Sequence, residues 1–211
     1  MRSVTIELSF QLRRESRELP RVDPTEFESL SLEAFQLVQG FVLHDVWLVE
    51  LEGSASCTVQ DLRSLITPEG FRSLNPAVRI LFFIRSALGR IFRLDSVSID
   101  GPARSVVEKV PARLADASLV PPGTPEGPFQ TLYALPTEAA YQALNATVHA
   151  ILIVALTESV SGHRFFWATY LKPVGRITSL YMRVIDPFRR AIVYPGLESW
   201  LKRAWLTRSR L

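Results

Sequence analysis

The sequence has a single cysteine, Cys57, and only three histidines among its 211 residues. One thiol cannot close an internal disulfide. Scattered His with no second Cys gives no metal-ligand spacing, so neither a disulfide framework nor a metal centre is expected. Charge of one sign is also lacking, since 24 basic and 21 acidic residues leave a net +3. That balance carries no electrostatic footprint for nucleic acid, and no nucleic-acid partner is expected, although the sequence pI of about 9.3 is basic. The most apolar runs, Ala146 to Leu156 and Ile80 to Ile84, fall far short of the roughly 20 residues that a membrane span needs. The opening MRSVTIELSFQLRRESREL places charges where a secretory signal needs an unbroken apolar core, so a cytoplasmic protein is expected. Glycine-rich phosphate loops, H-E-x-x-H and a nucleophile elbow are missing too, and no cofactor is expected.

What is present is apolar patterning. With 47% hydrophobic and 21% charged residues, the chain is long enough for one domain that buries about 70% of its unfolded surface. Val4 to Leu12 alternates as an edge strand would. Asp23 and Pro24 read as an N-cap and first helical position, after which Phe27, Leu30, Ala34, Leu37 and Val38 keep helical spacing up to Gly40. DVWLVELEG reads as a strand, and TVQDLRSLI as a short helix started by Thr58 with Asp61 in its first turn. A longer helix from Asn75 to Phe92 is apolar nearly all round, apart from a stripe of Arg79, Ser86, Arg90 and Arg93. Between residues 101 and 128, six prolines and three glycines argue for a long loop, either a cover over a cavity mouth or a mobile insert.

FQTLYAL and EAAYQALN then form strands joined at Pro136 and Thr137. VHAILIVALTES and GHRFFWATYLKP, with Gly162 in the turn between them, give the signal of a β-hairpin rich in branched and aromatic residues. Both faces of the first of these strands are apolar, so it is buried on two sides or lines an apolar cavity. After Pro173 the period becomes helical, from Thr178 to Trp205, with a break expected at Asp186 and Pro187. The architecture expected is therefore α+β: a curved antiparallel sheet gripping a long C-terminal helix, with residues 1–40 as an extension, 45–205 as the core and 101–128 as the loop.

Few polar residues in this pattern could carry chemistry. His149 is a titratable ring inside an apolar strand, either a structural residue or a general base with Glu138 or Tyr141 as its neighbour. Arg189 and Arg190 fall in the first turn of a restarted helix, where the helix dipole opposes positive charge. They call for a counter-charge, either an aspartate of the chain such as Asp186 or Asp95, or an anionic ligand. A small hydrophobic ligand between sheet and helix would meet Ile151, Ile153, Phe165, Trp167 and Tyr181, with Arg189 and Arg190 beside it. The tail WLKRAWLTRSRL interleaves Trp200, Leu201, Trp205 and Leu206 with basic residues, a composition that also suits peripheral contact with a membrane surface.

The order of strand, two helices, antiparallel strands and C-terminal helix resembles the helix-grip fold of the START and birch-pollen-allergen-like superfamily. LFFIRSALGRIFRLD, NATVHAILIVAL and YMRVIDPFRRAIVYP are similar to an uncharacterised bacterial family of that superfamily, known only by a domain-of-unknown-function label. The resemblance covers about Asp45 to Trp205. It implies a cavity between sheet and helix that takes apolar or amphipathic small molecules, with cyclase-type enzymes in some branches. Fold alone does not transfer an activity, so binding without catalysis is the first expectation and a cyclase- or hydratase-like enzyme the second.

Overall fold

Six strands among the described residues, β1 (Val42–Glu52), β2 (Pro125–Glu126), β3 (Phe129–Ala134), β4 (Glu138–Leu144), β5 (Val148–Ser159) and β6 (Gly162–Pro173), form one curved open sheet. Their order is β1-β6-β5-β4-β3-β2, and every neighbouring pair is antiparallel. The computed structural model describes residues 22–53, 56–65, 105–126, 129–144, 148–173, 186–187 and 189–208. The strand expected over 4–12, the helix from Asn75, Asp95, Tyr181 and the start of the C-terminal helical segment lie outside those residues.

The central hairpin follows directly from its alternation. Ser159 pairs with Gly162 across a two-residue turn, and the register runs on to Val148 opposite Pro173. In β5 the odd positions Ile151, Ile153 and Ala155 face one layer, the even positions Leu152, Val154 and Leu156 face the other, and all six are buried. Each Ile or Leu buried in this way contributes roughly 1.5–3 kcal/mol relative to an exposed position. Gly162 is required where it stands, with φ +149° and the Leu51 carbonyl oxygen 2.3 Å from where a Cβ would sit. That closeness lets the end of β1 lie against the turn, where Gly53 donates to the Ser161 carbonyl at 3.0 Å.

The sheet is covered on both faces. Over the Ile151 face lie α1 (Pro24–Glu28), a 3-10 turn (Glu33–Gln36) and the segment 105–117, through Phe27, Ala34, Leu37, Val106 and Leu114. Over the Leu152 face lie α2 (Val59–Leu65), through Val59 and Leu62, and α4 (Tyr194–Arg208), through Leu201 and Trp205. Asp23 caps α1 by accepting from the Thr25 N–H at 2.9 Å. Thr58 and Asp61 form a reciprocal box at the start of α2, with Thr58 N to Asp61 Oδ2 at 3.0 Å and Asp61 N to Thr58 Oγ1 at 3.2 Å.

Two expectations need correction. The single helix expected from Pro24 to Gly40 is two pieces: the Ser29 hydroxyl donates to the Glu26 carbonyl at 2.7 Å, and α1 stops at Glu28. The segment 101–128 is not merely a loop, because it contains a 3-10 turn (Val107–Lys109) and α3 (Ala112–Ala117), with Pro111 sitting harmlessly at the N-cap of α3. The C-terminal element is described only from Asp186: Asp186 and Pro187 are helical, and a π-helical turn (Arg189–Val193) leads into α4, with Pro195 in the first turn of α4. No helix among the described residues is long and apolar enough to cross a membrane.

Candidate functional site

A cavity of about 410 Å³ opens on the Ile151 face, beyond the end of the packed core. Three parts of the chain build it. His149 and Lys172, which pair across β5 and β6, come from the sheet. Gln36, Leu37, Gln39 and Phe41 come from the 3-10 turn and the bend into β1. Val106, Lys109 and Pro111 come from the covering segment. That wall is tied down by Gln142, a fully buried amide whose Oε1 accepts from the Val106 N–H at 2.9 Å and whose Nε2 donates to Ser105 Oγ at 2.6 Å and Gln130 Oε1 at 2.8 Å. No local pattern points to this role, since Gln142 meets Ser105 from 37 residues away.

His149 is 2% exposed, and its ring packs edge-on against Phe41 with centroids 4.8 Å apart. Its Nε2 is buried without a hydrogen-bond partner. Burial, with the Lys172 and Lys109 charges adding to it, pushes the imidazole down to about 4, so the ring is neutral at pH 7. The Lys172 ammonium lies 5.9 Å from the Phe41 ring centroid. Among the described residues neither lysine of the cavity has a carboxylate partner, and the lining holds no acidic residue.

The two candidate neighbours of His149 are not assembled with it. Tyr141 belongs to the opposite face of the sheet. Glu138 shares the His149 face but pairs with Ala155, six residues along β5, or roughly 20 Å at about 3.3 Å per residue. Glu138 instead accepts from the Glu33 N–H at 3.0 and 3.2 Å and from the Tyr133 hydroxyl at 3.0 Å, anchoring the 3-10 turn to the sheet. Burial raises its carboxyl above the ordinary range, opposed by those two donors.

The expected ligand set divides between the two faces. Ile151 and Ile153 are fully buried in the core of one, while Phe165 and Trp167 lie on the other, under α4. There, Trp47, Phe165, Trp167, Tyr194 and Leu197 enclose about 30 Å³, room for little more than a water. Arg189 and Arg190 meet aspartates of the chain. Arg189 reaches Asp45 Oδ2 at 3.3 Å and Asp186 Oδ1 at 3.3 Å and donates to Thr169 Oγ1 at 3.2 Å and to the Tyr194 hydroxyl, while Arg190 lies 3.8 Å from Asp186. Tyr194 in turn donates to Asp45 Oδ2 at 2.9 Å, its phenol held neutral by burial. A β-bulge makes His44 the extra residue between Leu43 and Asp45, and His44 reaches Asp186 at 2.8 Å. Of the tail residues that suit a membrane surface, Leu201 and Trp205 are buried in the core, and only Leu206 among the four is exposed.

The class defined by these features is an α+β protein with an open antiparallel sheet covered on both faces and a small-molecule-sized cavity at one end. The chain belongs to the family described as "Protein of unknown function (DUF2867)", whose model matches residues 37–196. That span takes in every lining residue of the cavity except Gln36. No curated protein and no solved structure matches the chain.

Proposed function

We propose that the protein binds a small amphipathic molecule in the cavity at His149, without catalysing its conversion. The observation that carries this reading is the buried, unpartnered Nε2 of His149 beside about 410 Å³ of space. A buried polar atom left unpaired costs about 1–3 kcal/mol, a cost that a polar ligand atom removes. The volume falls in the range of small-molecule sites, and Leu37, Phe41, Val106 and Pro111 supply an apolar wall. The space under α4 is far smaller, which favours the opposite face over the one between sheet and C-terminal helix.

One domain of the helix-grip, START-like kind is part of the proposal. Among the described strands the last, β6, pairs with the first, β1, and α4, C-terminal to β6, covers one face of the sheet, an order that supports this reading. A bacterial, cytoplasmic setting completes it, in keeping with the lone Cys57. A cyclase- or hydratase-like enzyme is the second reading, favoured by the neutral imidazole, which could take a proton from a bound substrate. Binding is tested with the neutral dye N-phenyl-1-naphthylamine. Saturable fluorescence near one site per chain is expected, lost in Gln39→Trp, which fills the cavity from an exposed position. Binding that appears only on partial unfolding refutes it.

A further inference from the structure

We propose that the cavity selects an anionic ligand, one acidic group on an apolar body, through Lys109 and Lys172. This rests on the binding reading above and adds the chemical class of the ligand. Three observations support it. Lys109 and Lys172 enter from opposite parts of the structure, the covering segment and β6, so two ammoniums converge on one cavity. Among the described residues no carboxylate lines that cavity and neither lysine is ion-paired, whereas the cations Arg113, Arg164, Arg189 and Lys202 each hold an acidic partner. Both lysine charges also reach His149, the buried ring at the cavity, and disfavour a third positive charge there. An uncompensated pair of cations over an apolar wall attracts an anion and has nothing to offer a cation.

The neutral imidazole adds a directional group. In the tautomer with its proton on Nε2 it donates to an acidic oxygen while the ring stays neutral. Gln39 contributes an amide at the rim, able to serve either end of a hydrogen bond, whereas the Gln36 Nε2 beside it is already donated to Glu33. Phe41, flanked by His149 on one side and by Lys172 5.9 Å from its centroid on another, is the natural seat for the apolar body.

The test compares two dyes that share an aromatic body and differ in charge, 1-anilinonaphthalene-8-sulfonate and the neutral N-phenyl-1-naphthylamine, on the intact chain at low salt. The sulfonate is expected to bind about tenfold more tightly, the advantage of a charge-assisted contact over an apolar one. Lys109→Gln with Lys172→Gln, both at exposed positions, should remove that advantage and leave the neutral dye within twofold. Added salt should weaken only the sulfonate. Equal affinities, or a sulfonate affinity untouched by the lysine changes, overturn the selection for anions while leaving the cavity as a binding site. If neither dye binds, or if Gln39→Trp spares both, the binding reading itself falls. Hexanoate and inorganic phosphate, as competitors of the sulfonate, then separate a carboxylate from a phosphate, and displacement by neither overturns the proposal.

Discussion

Protonating His149 inside the fold costs more than protonating it in the unfolded chain, because burial and two lysine charges both oppose the added charge. Above pH 6.5, its reference value, the ring is neutral in both states and contributes nothing to the pH dependence of stability. As the pH falls from 6.5 toward about 4, the unfolded chain takes up the proton first and the native state loses stability. The loss is on the order of 3 kcal/mol once both states are protonated. Urea denaturation at pH 7 and at pH 4 should show that drop in the wild type and a smaller one in His149→Gln. Equal drops in both proteins would mean that the ring is not buried as described. Gly162→Ala makes a second prediction at this scale. A Cβ placed 2.3 Å from the Leu51 oxygen forces the end of β1 away from the turn, and the loss should exceed about 1 kcal/mol at the urea midpoint. The roles of Asp23 and Thr58 were legible in the sequence because a cap acts over two or three residues. His44 was not, since the bulge that turns it toward Asp186 is a mismatch between two strands.

Among the elements, two polar anchors set the geometry. Asp45, Arg189 and Tyr194 join β1 to the start of α4, and the Asp45 side chain is almost wholly out of water. Asp45→Asn leaves the largely buried Arg189 with only the Asp186 carboxylate among the described residues, so it should cost about 1–3 kcal/mol, read as a lowered thermal midpoint. A cost near zero would mean that the pair is solvated. Gln142 holds the covering segment over the cavity through the Val106 N–H and Ser105. Gln142→Leu keeps the buried volume but leaves that N–H unpaired, so faster amide hydrogen exchange across residues 105–117 and weaker dye binding are expected together. Unchanged exchange there would show that apolar packing of Val106 and Leu114 suffices. The hairpin of β5 and β6 could be read from period-two alternation alone. The helix in segment 105–117 is hidden in the sequence because proline ordinarily breaks a helix, whereas Pro111 stands at the N-cap of α3, where it does no harm.

For the whole molecule, the sheet and its double burial were evident in the sequence, because β5 carries apolar residues on both faces. The location of the cavity was not. It is made where residues 36–41, 106–111, 149 and 172 converge, and no spacing rule links parts of the chain that far apart. For the same reason Ile151 and Phe165, both in the expected ligand set, fall on opposite faces: strand alternation gives the sides of each strand but not which side is left open. A ligand that occupies the space at His149 meets the ring nitrogens, which report on it directly. With three histidines in the chain, a long-range proton–nitrogen spectrum is simple to assign using His149→Gln. Titration with 1-anilinonaphthalene-8-sulfonate should shift the Nε2 signal of His149 and leave those of His44 and His163 in place. A dye that binds while His149 stays unmoved would contradict the account.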